Sequence, residues 1–171
     1  IPGQKDGAYV WRSVAGWSEG YYLSSVKRAG QALEARLVVE QLFAAEPAPW
    51  IVVCGDLNSD EHEVPVRILR SDPGDTGNAD LAGRSLEPLE RAIPASQRYS
   101  VLHDGRRQLL DHVLVSPAML EVARGIEIYN EGLADEALER HLRPADSFHA
   151  PLVAELDLSD SGAIHPQSDH R

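Results

Sequence analysis

Cysteine and positive charge are both scarce in this chain of 171 residues. Cys54 is the single cysteine, which excludes an internal disulfide framework. That scarcity is typical of a reducing compartment, so we expect a cytoplasmic protein. Lysine and arginine together number 16 against 27 aspartates and glutamates, giving a formal net charge of −11. This charge argues against a broad basic surface for polyanions, so a phosphate ligand would need a metal ion or a local cluster of cations.

Long apolar runs are also missing, and no stretch of the sequence has the length and hydrophobicity of a membrane span. Apolar residues nevertheless make up 43% of the chain, which is typical of a globular domain. The only methionine is Met119 and the first residue is Ile1, so we expect a processed product or a piece of a longer protein. We expect residues 1–158 to form one domain and residues 159–171 a polar tail.

Hydrophobic periodicity predicts one long helix near the start of the chain. Residues 1–24 show no sustained period, and we interpret them as a loop anchored by aromatic side chains. Ser24 or Ser25 is the expected N-cap, and the helix should end at about Ala45, before two prolines. Arg36 falls among the residues interpreted as an ordinary polar face.

Apolar runs after this helix predict several strands. Trp50–Cys54 has the pattern of a central strand buried on both faces, and the other strands are expected at 99–102, 109–116, 126–129 and 152–158. A short helix is expected at 61–70, a helical turn at 117–124 and a hairpin turn at 104–105. The segment 71–97 is expected to be mostly irregular, with one helical turn at 87–92. The fold class is therefore α/β or α+β, in which polar groups gather where strands end.

The first such group is Gly55-Asp56-Leu57-Asn58, at the exit of the first apolar strand. Side chains two apart in an extended chain point the same way, so Asp56 and Asn58 should face one site. A carboxylate can orient a water, and an amide can donate to a charged oxygen. A local Asx turn that merely ends the strand explains the same residues equally well.

Two more polar groups accompany later strands. Asp111 and His112 are adjacent within an apolar strand, so they face opposite ways and at most one faces a shared site. A buried aspartate needs a cationic or hydrogen-bonding partner, and a histidine would serve. His149 lies directly before the last strand, and taken alone it is more often an ordinary hydrogen-bonded surface residue.

Taken together and in order, these segments resemble the endonuclease/exonuclease/phosphatase superfamily, which has the DNase I-like fold. G-D-L-N, L-D-H-V-L-V-S and S-F-H-A-P-L-V-A-E-L carry the resemblance, which covers about residues 20–158. It implies two sheets packed face to face with outer helices, and a site at their common edge. The implied reaction is hydrolysis of a phosphodiester or phosphomonoester with a divalent metal, with Mg²⁺ expected and Mn²⁺ as the alternative.

The resemblance also implies roles for single residues. Asp56 would orient the attacking water, Asn58 would support the phosphate oxygens, and both are candidate metal ligands. His149 would stabilise the charge that grows on the phosphate, and Asp111 would hold that histidine in orientation.

The arginine pair Arg106 and Arg107 precedes the Asp111 strand and is a candidate contact for a substrate phosphate. A solvated turn is the slightly favoured alternative for the two arginines. The candidate substrates are a nucleic acid, an inositol phosphate headgroup and a small phosphodiester.

Two departures from the family pattern bear on whether the site and the domain are complete. Phe148 stands where the family has an aspartate directly before the histidine, and Asp146 is the nearest alternative acid. No residue before position 24 matches the asparagine, glutamate and further histidine of the family's N-terminal half. The resemblance therefore implies the C-terminal half of the domain without the N-terminal half, and we expect the isolated chain to be weakly active or inactive.

Two rival interpretations of the sequence remain open. One is a binding module that kept the fold and lost the chemistry, which Phe148 favours. The other is a metal-binding protein that uses Glu61, His62 and Glu63 together with His165, Asp169 and His170, although their spacing is not that of a closed site.

Overall fold

A computed structural model describes residues 2–5, 8–138 and 147–159, which form an α+β protein. The α-helices are α1 (Val14–Ala45), α2 (Val64–Arg70), α3 (Pro73–Thr76) and α4 (Pro117–Glu121), with 3-10 helices at Ala79–Arg84 and Leu89–Ala92. The strands are β1 (Pro2–Lys5), β2 (Ala8–Trp11), β3 (Val52–Asp56), β4 (Glu87–Pro88), β5 (Val101–His103), β6 (Arg106–Gln108), β7 (Asp111–Val115), β8 (Ala123–Ile128) and β9 (Leu152–Leu156). The prediction of a mixed helix and sheet fold is confirmed. Of the expected polar tail, residues 160–171 lie outside the described residues.

Helix α1 begins earlier than the sequence pattern predicted. Ser13 caps it, with the Gly16 N–H donating to the Ser13 hydroxyl at 3.0 Å. The rings of Trp17 and Tyr21 stack one turn apart, with centroids separated by 5.4 Å. The prediction of a loop over residues 1–24 is therefore wrong for the described residues of this segment, which form the antiparallel β1–β2 pair and the first turns of α1. The predicted end of the helix at Ala45 is confirmed.

Arg36 lies on the buried face of α1 and holds the helix to its neighbours. It is 6% exposed and donates to the carbonyl oxygens of Leu69 at 3.1 Å and Arg84 at 2.7 Å. Arg36 also forms an ion pair with Glu40, which Arg84 contacts as well. Burial alone would raise the pKa of Glu40, but the hydrogen bonds from the two arginines outweigh it and lower that pKa. The interpretation of Arg36 as an ordinary polar-face residue was wrong, because Arg36 is buried and its two carbonyl acceptors are distant in the chain.

The sheet that carries the candidate site has the order β3-β7-β4, with β7 antiparallel to both neighbours. Strand β7 is the deeply buried one, with Leu114 and Val115 fully covered. Strand β3 lies at the edge of this sheet, and its Val52 is 39% exposed. The expectation of a central strand buried on both faces is therefore wrong for β3 within the described residues. The register places Asp56 opposite Asp111.

Two apolar clusters pack against the two sides of this sheet. The first joins α1 and α2 to the sheet through Ala32, Val39, Phe43, Ile51, Leu69, Leu86 and Leu114. The second joins β7 and α4 to the β8–β9 pair, and its buried members are Leu89, Val113, Val115 and Met119. Burial on this scale supplies the main favourable free energy of folding, at about 25 cal/mol per Å² of apolar surface. The two clusters together bury Val113, Leu114 and Val115, and so fix the strand that begins at Asp111.

Helix α1 also leaves many large apolar side chains exposed to solvent. They are Val14, Trp17, Tyr21, Tyr22, Leu23, Val26, Leu33, Leu37, Val38 and Leu42. In the part of the chain that the structure describes, α1 and the other helices all lack the combination of length and hydrophobicity that crossing a membrane requires.

The β5–β6 hairpin turns at Asp104 and Gly105, as predicted, with φ of 50° and 74°. Asp135 holds this turn by accepting the N–H groups of Asp104 at 3.1 Å and Gly105 at 2.7 Å. Further N–H groups from Ala137 and Leu138 reach the same carboxylate. The Gly105 N–H contributes most to the lowered pKa of Asp135, and together these donors outweigh the effect of burial.

We expect Asp135→Asn to destabilise the protein near neutral pH and to weaken its acid sensitivity. Because the pKa of Asp135 is lower in the folded chain than in the unfolded chain, the carboxylate stabilises the fold above its unfolded pKa. That contribution is lost as the pH falls through the folded pKa. Urea unfolding at neutral pH, and at a pH below the usual pKa range of aspartate, measures both effects. Glu34→Gln, at an exposed position on α1, is the control; an equal effect there would contradict the assignment.

Candidate active site

Three titratable side chains from separate segments meet at one edge of the sheet. Asp56 is the last residue of β3, Asp111 is the first residue of β7, and the two face each other in the register. His149 lies just before β9 and forms an isolated bridge with Val101 of β5. One ligand atom from each of the three side chains lies within 4.8 Å of the others. Residues separated by up to 93 positions in the sequence therefore share one small polar site.

Asp111 and His149 form a direct hydrogen bond. His149 Nδ1 and Asp111 Oδ2 are 2.8 Å apart, and the side chains are 30% and 19% exposed. The carboxylate fixes the orientation of the ring and leaves Nε2 as the nitrogen that can meet a ligand. The contact expected between these two residues is present in the structure, while their catalytic roles stay a prediction.

Asp56 and Asn58 are joined by an Asx turn. The Asn58 N–H donates to Asp56 Oδ1 at 2.8 Å, and the Asn58 amide donates to Asp56 Oδ2 at 3.1 Å. Asn58 has φ of 47°, a conformation that asparagine tolerates. The two interpretations offered by the sequence are thus compatible, because the turn that ends the strand also presents both side chains together. Gly55 has φ of 140°, so a side chain at this position would strain the backbone.

His112 points away from the site into the core, as its position beside Asp111 predicted. Its Nδ1 lies 2.6 Å from Glu90 Oε1, and its Nε2 lies 2.8 Å from the Ser59 carbonyl oxygen. Both partners are acceptors, so the ring donates from both nitrogens as a cation. Burial lowers the pKa of His112, but the hydrogen bonds to Glu90 and Ser59 outweigh burial and raise it.

Glu90 completes this buried arrangement by accepting the Val113 N–H at 3.2 Å on its second oxygen. The His112 and Glu90 side chains are both fully buried. Ser59 directly follows Asn58, so the ion pair ties the loop that carries Asp56 and Asn58 to the core. Sequence reasoning missed Glu90, because its 3-10 helix lies in a segment without clear periodicity.

A cleft of about 980 Å³ opens beside the Asp111–His149 pair. Its polar lining residues include Asp111, Glu131, Ser147 and His149. Its apolar lining residues include Val52, Cys54, Val113, Leu152, Ala154 and Leu156. The Asp111–His149 pair therefore faces a space that is large enough for a small phosphate ester.

The candidate substrate contacts Arg106 and Arg107 lie on β6, and neither lines this cleft among the described residues. Arg107 donates to the Ser96 carbonyl oxygen at 2.8 Å and lies 4.8 Å from the centroid of the Tyr99 ring. These contacts favour a structural role for Arg107. Arg106 is exposed, and substrate binding by either arginine stays a prediction.

The rival metal site around Glu61, His62 and Glu63 is weakened by the contacts of its acids. Glu61 is buried in ion pairs with Arg70 and Arg91. The Asp60 N–H donates to Glu63 at 2.7 Å. The remaining members of that set, His165, Asp169 and His170, lie outside the described residues, as does Asp146.

The residues that meet at the sheet edge fit a divalent cation better. Asp56 and Asp111 offer carboxylate oxygens, the ligands that Mg²⁺ and Mn²⁺ prefer. His149 adds an imidazole nitrogen within the same 4.8 Å. Asn58, bonded to Asp56, brings an amide oxygen to the same loop.

Residues 6–170 match the sequence model of the Endonuclease/Exonuclease/phosphatase family. The chain therefore belongs to this family, whose members hydrolyse phosphoester bonds and typically use a divalent metal ion. No curated protein and no solved structure matches the chain.

Proposed function

We propose that this protein is a metal-dependent phosphoesterase that cleaves a phosphodiester or phosphomonoester by the attack of water. The observation that carries the proposal is the convergence of Asp56, Asp111 and His149 within 4.8 Å, with Asp111 bonded to the histidine. Carboxylates and a positioned histidine suit this reaction, because a water must be oriented and charge develops on the phosphate oxygens.

Asp56 orients the attacking water through its carboxylate in this proposal. One N–H of the Asn58 amide already donates to Asp56, which leaves the second N–H for a phosphate oxygen. The Asx turn holds the two groups at a fixed separation, so they act on neighbouring atoms of one substrate.

His149 stabilises the negative charge that develops on the phosphate. Asp111 accepts from Nδ1, and in the imidazolium form of the ring Nε2 also donates, to the phosphate oxygen. A divalent ion, Mg²⁺ or Mn²⁺, held by the Asp56 carboxylate and the Asn58 amide oxygen, would neutralise phosphate charge when bound.

The test measures hydrolysis of bis(p-nitrophenyl) phosphate, plasmid DNA and inositol phosphates. Each rate with Mg²⁺ or Mn²⁺ is compared with the rate in EDTA. We expect metal-dependent turnover that Asp56→Asn reduces by about 10²-fold or more, because an oriented general base contributes on that scale. Asp80→Asn, at an exposed carboxylate on a 3-10 helix, should leave the rate unchanged. Turnover that survives EDTA or that ignores Asp56→Asn would contradict the proposal.

The weak or absent activity expected of the isolated chain stays a prediction. The same assay on a longer polypeptide that restores upstream sequence measures it, and equal turnover of the two polypeptides would refute it. The binding module remains the second candidate, because Phe148 takes the place of the family's acid. Binding of a phosphodiester without turnover in either polypeptide would favour that candidate.

A further inference from the structure

Ser100 is a fully buried residue directly before β5, and its hydroxyl accepts two main-chain hydrogen bonds. The donors are the N–H groups of Leu110 at 3.1 Å and Asp111 at 3.2 Å. A serine oxygen has two lone pairs, so one side chain satisfies both donors. The hydroxyl therefore fixes the backbone at the residue that holds His149.

The main chain of Ser100 contacts the other partner of that pair. Its carbonyl oxygen accepts the Ala150 N–H at 2.8 Å, and Ala150 directly follows His149. The next residue, Val101, forms the bridge with His149 itself. One buried residue thus touches the backbone on both sides of the Asp111–His149 hydrogen bond.

The third site segment connects to the same point. The Leu57 N–H donates to the Leu110 carbonyl oxygen at 2.8 Å, and Leu57 lies between Asp56 and Asn58. The Leu110–Asp111 peptide, whose N–H donates to the Ser100 hydroxyl, therefore also supports the Asx turn through its carbonyl oxygen.

We propose that Ser100 is a positioning residue that sets the separation of Asp111 and His149. The catalytic consequence rests on the proposed function, whereas the positioning itself does not. Removing the hydroxyl leaves two buried N–H groups without their acceptor, and the Asp111 backbone moves to find another. A displacement of about 1 Å at a reacting group is enough to lower a rate by about 10²-fold.

Ser116 supplies a matched control at the opposite end of β7. It is also fully buried, and its hydroxyl accepts the Ile51 N–H at 3.1 Å and donates to the Pro49 carbonyl oxygen at 2.6 Å. Ser116→Ala removes a hydroxyl with comparable contacts, far along the strand from Asp111. This variant measures the loss of stability that follows when a buried serine hydroxyl with two main-chain partners is removed.

The first measurement is steady-state kinetics on bis(p-nitrophenyl) phosphate, using the polypeptide that turns over. We expect Ser100→Ala to lower kcat by about 10- to 100-fold with KM little changed, because misplacement affects the transition state most. Ser116→Ala should keep the wild-type kcat, and Ser100→Thr, which keeps the hydroxyl, should recover most of the activity. A folded Ser100→Ala variant with wild-type kcat, or an equal loss in Ser116→Ala, would overturn the proposal.

The second measurement needs no turnover. The Nδ1 proton of His149 should give a low-field proton NMR signal, identified by its loss in His149→Gln. We expect Ser100→Ala to shift or remove this signal and Ser116→Ala to keep it. Ser100→Cys, with nearly the same size but a weak acceptor, replaces Ser100→Ala should the alanine variant not fold. An unchanged signal in the folded variant refutes positioning by Ser100. A lost signal supports positioning even in a protein without turnover, and the absence of turnover then refutes only the proposed hydrolysis.

Discussion

Replacing His149 with alanine is expected to lower kcat for phosphodiester hydrolysis by about 10²- to 10⁴-fold, the range found for a positioned acid–base group. The KM should change little, because the N–H at Nε2 is needed most when charge has developed on the phosphate. Steady-state rates with Mg²⁺ or Mn²⁺ measure the effect. His103→Ala is the control, since His103 is another partly exposed histidine bonded to a carboxylate, Glu136.

A double-mutant cycle separates the role of Asp111 from that of its partner. Asp111→Asn alone should lower kcat, because the 2.8 Å hydrogen bond to His149 Nδ1 is weakened. In the His149→Ala background, the same change should cost much less, since the orienting role has disappeared. A full additional loss in that background would show that Asp111 acts independently of the histidine, for example as a metal ligand.

The polar ends of strands were the predictable part of this molecule. Side chains alternate between the two faces of a strand, so Asp111 and His112 were expected to face opposite ways. In the structure Asp111 contacts His149, and His112 points into the core. The turn at Asp104–Gly105 was predictable for the same kind of reason, because local backbone preferences dominate there. Patterns of this kind depend only on neighbours in sequence, so they can be interpreted without knowledge of the tertiary structure.

The features that were missed depend on partners distant in the chain. Arg36 looked like a polar-face residue because its acceptors, Leu69 and Arg84, lie 33 and 48 positions away. Glu90 and His112 are 22 positions apart, and nothing local marks Glu90 as a core residue. The early start of α1 was obscured by Gly16 and Gly20, which weaken a helical pattern without forbidding the helix.

Removing the carboxylate of Glu90 is expected to destabilise the fold by about 3–5 kcal/mol, the usual cost of leaving a buried charge without its partner. In Glu90→Ala, the His112 ring still faces the Ser59 carbonyl oxygen, but its positive charge loses the carboxylate at 2.6 Å. The Val113 N–H also loses its acceptor. Urea unfolding of the variant and the wild type measures the difference in the free energy of unfolding.

Glu87→Ala is the matched control for Glu90→Ala, since Glu87 forms a partly exposed ion pair with Arg91 and should cost less than about 1 kcal/mol. Replacing both members of the buried pair, as Glu90→Leu with His112→Phe, should recover part of the stability, because no unpaired charge remains. The double variant should still turn over more slowly than the wild type, because Ser59 has lost the donor that ties the Asp56–Asn58 loop to the core. Full activity in that variant would mean that the Asx turn holds the loop unaided, and that the buried pair serves stability alone.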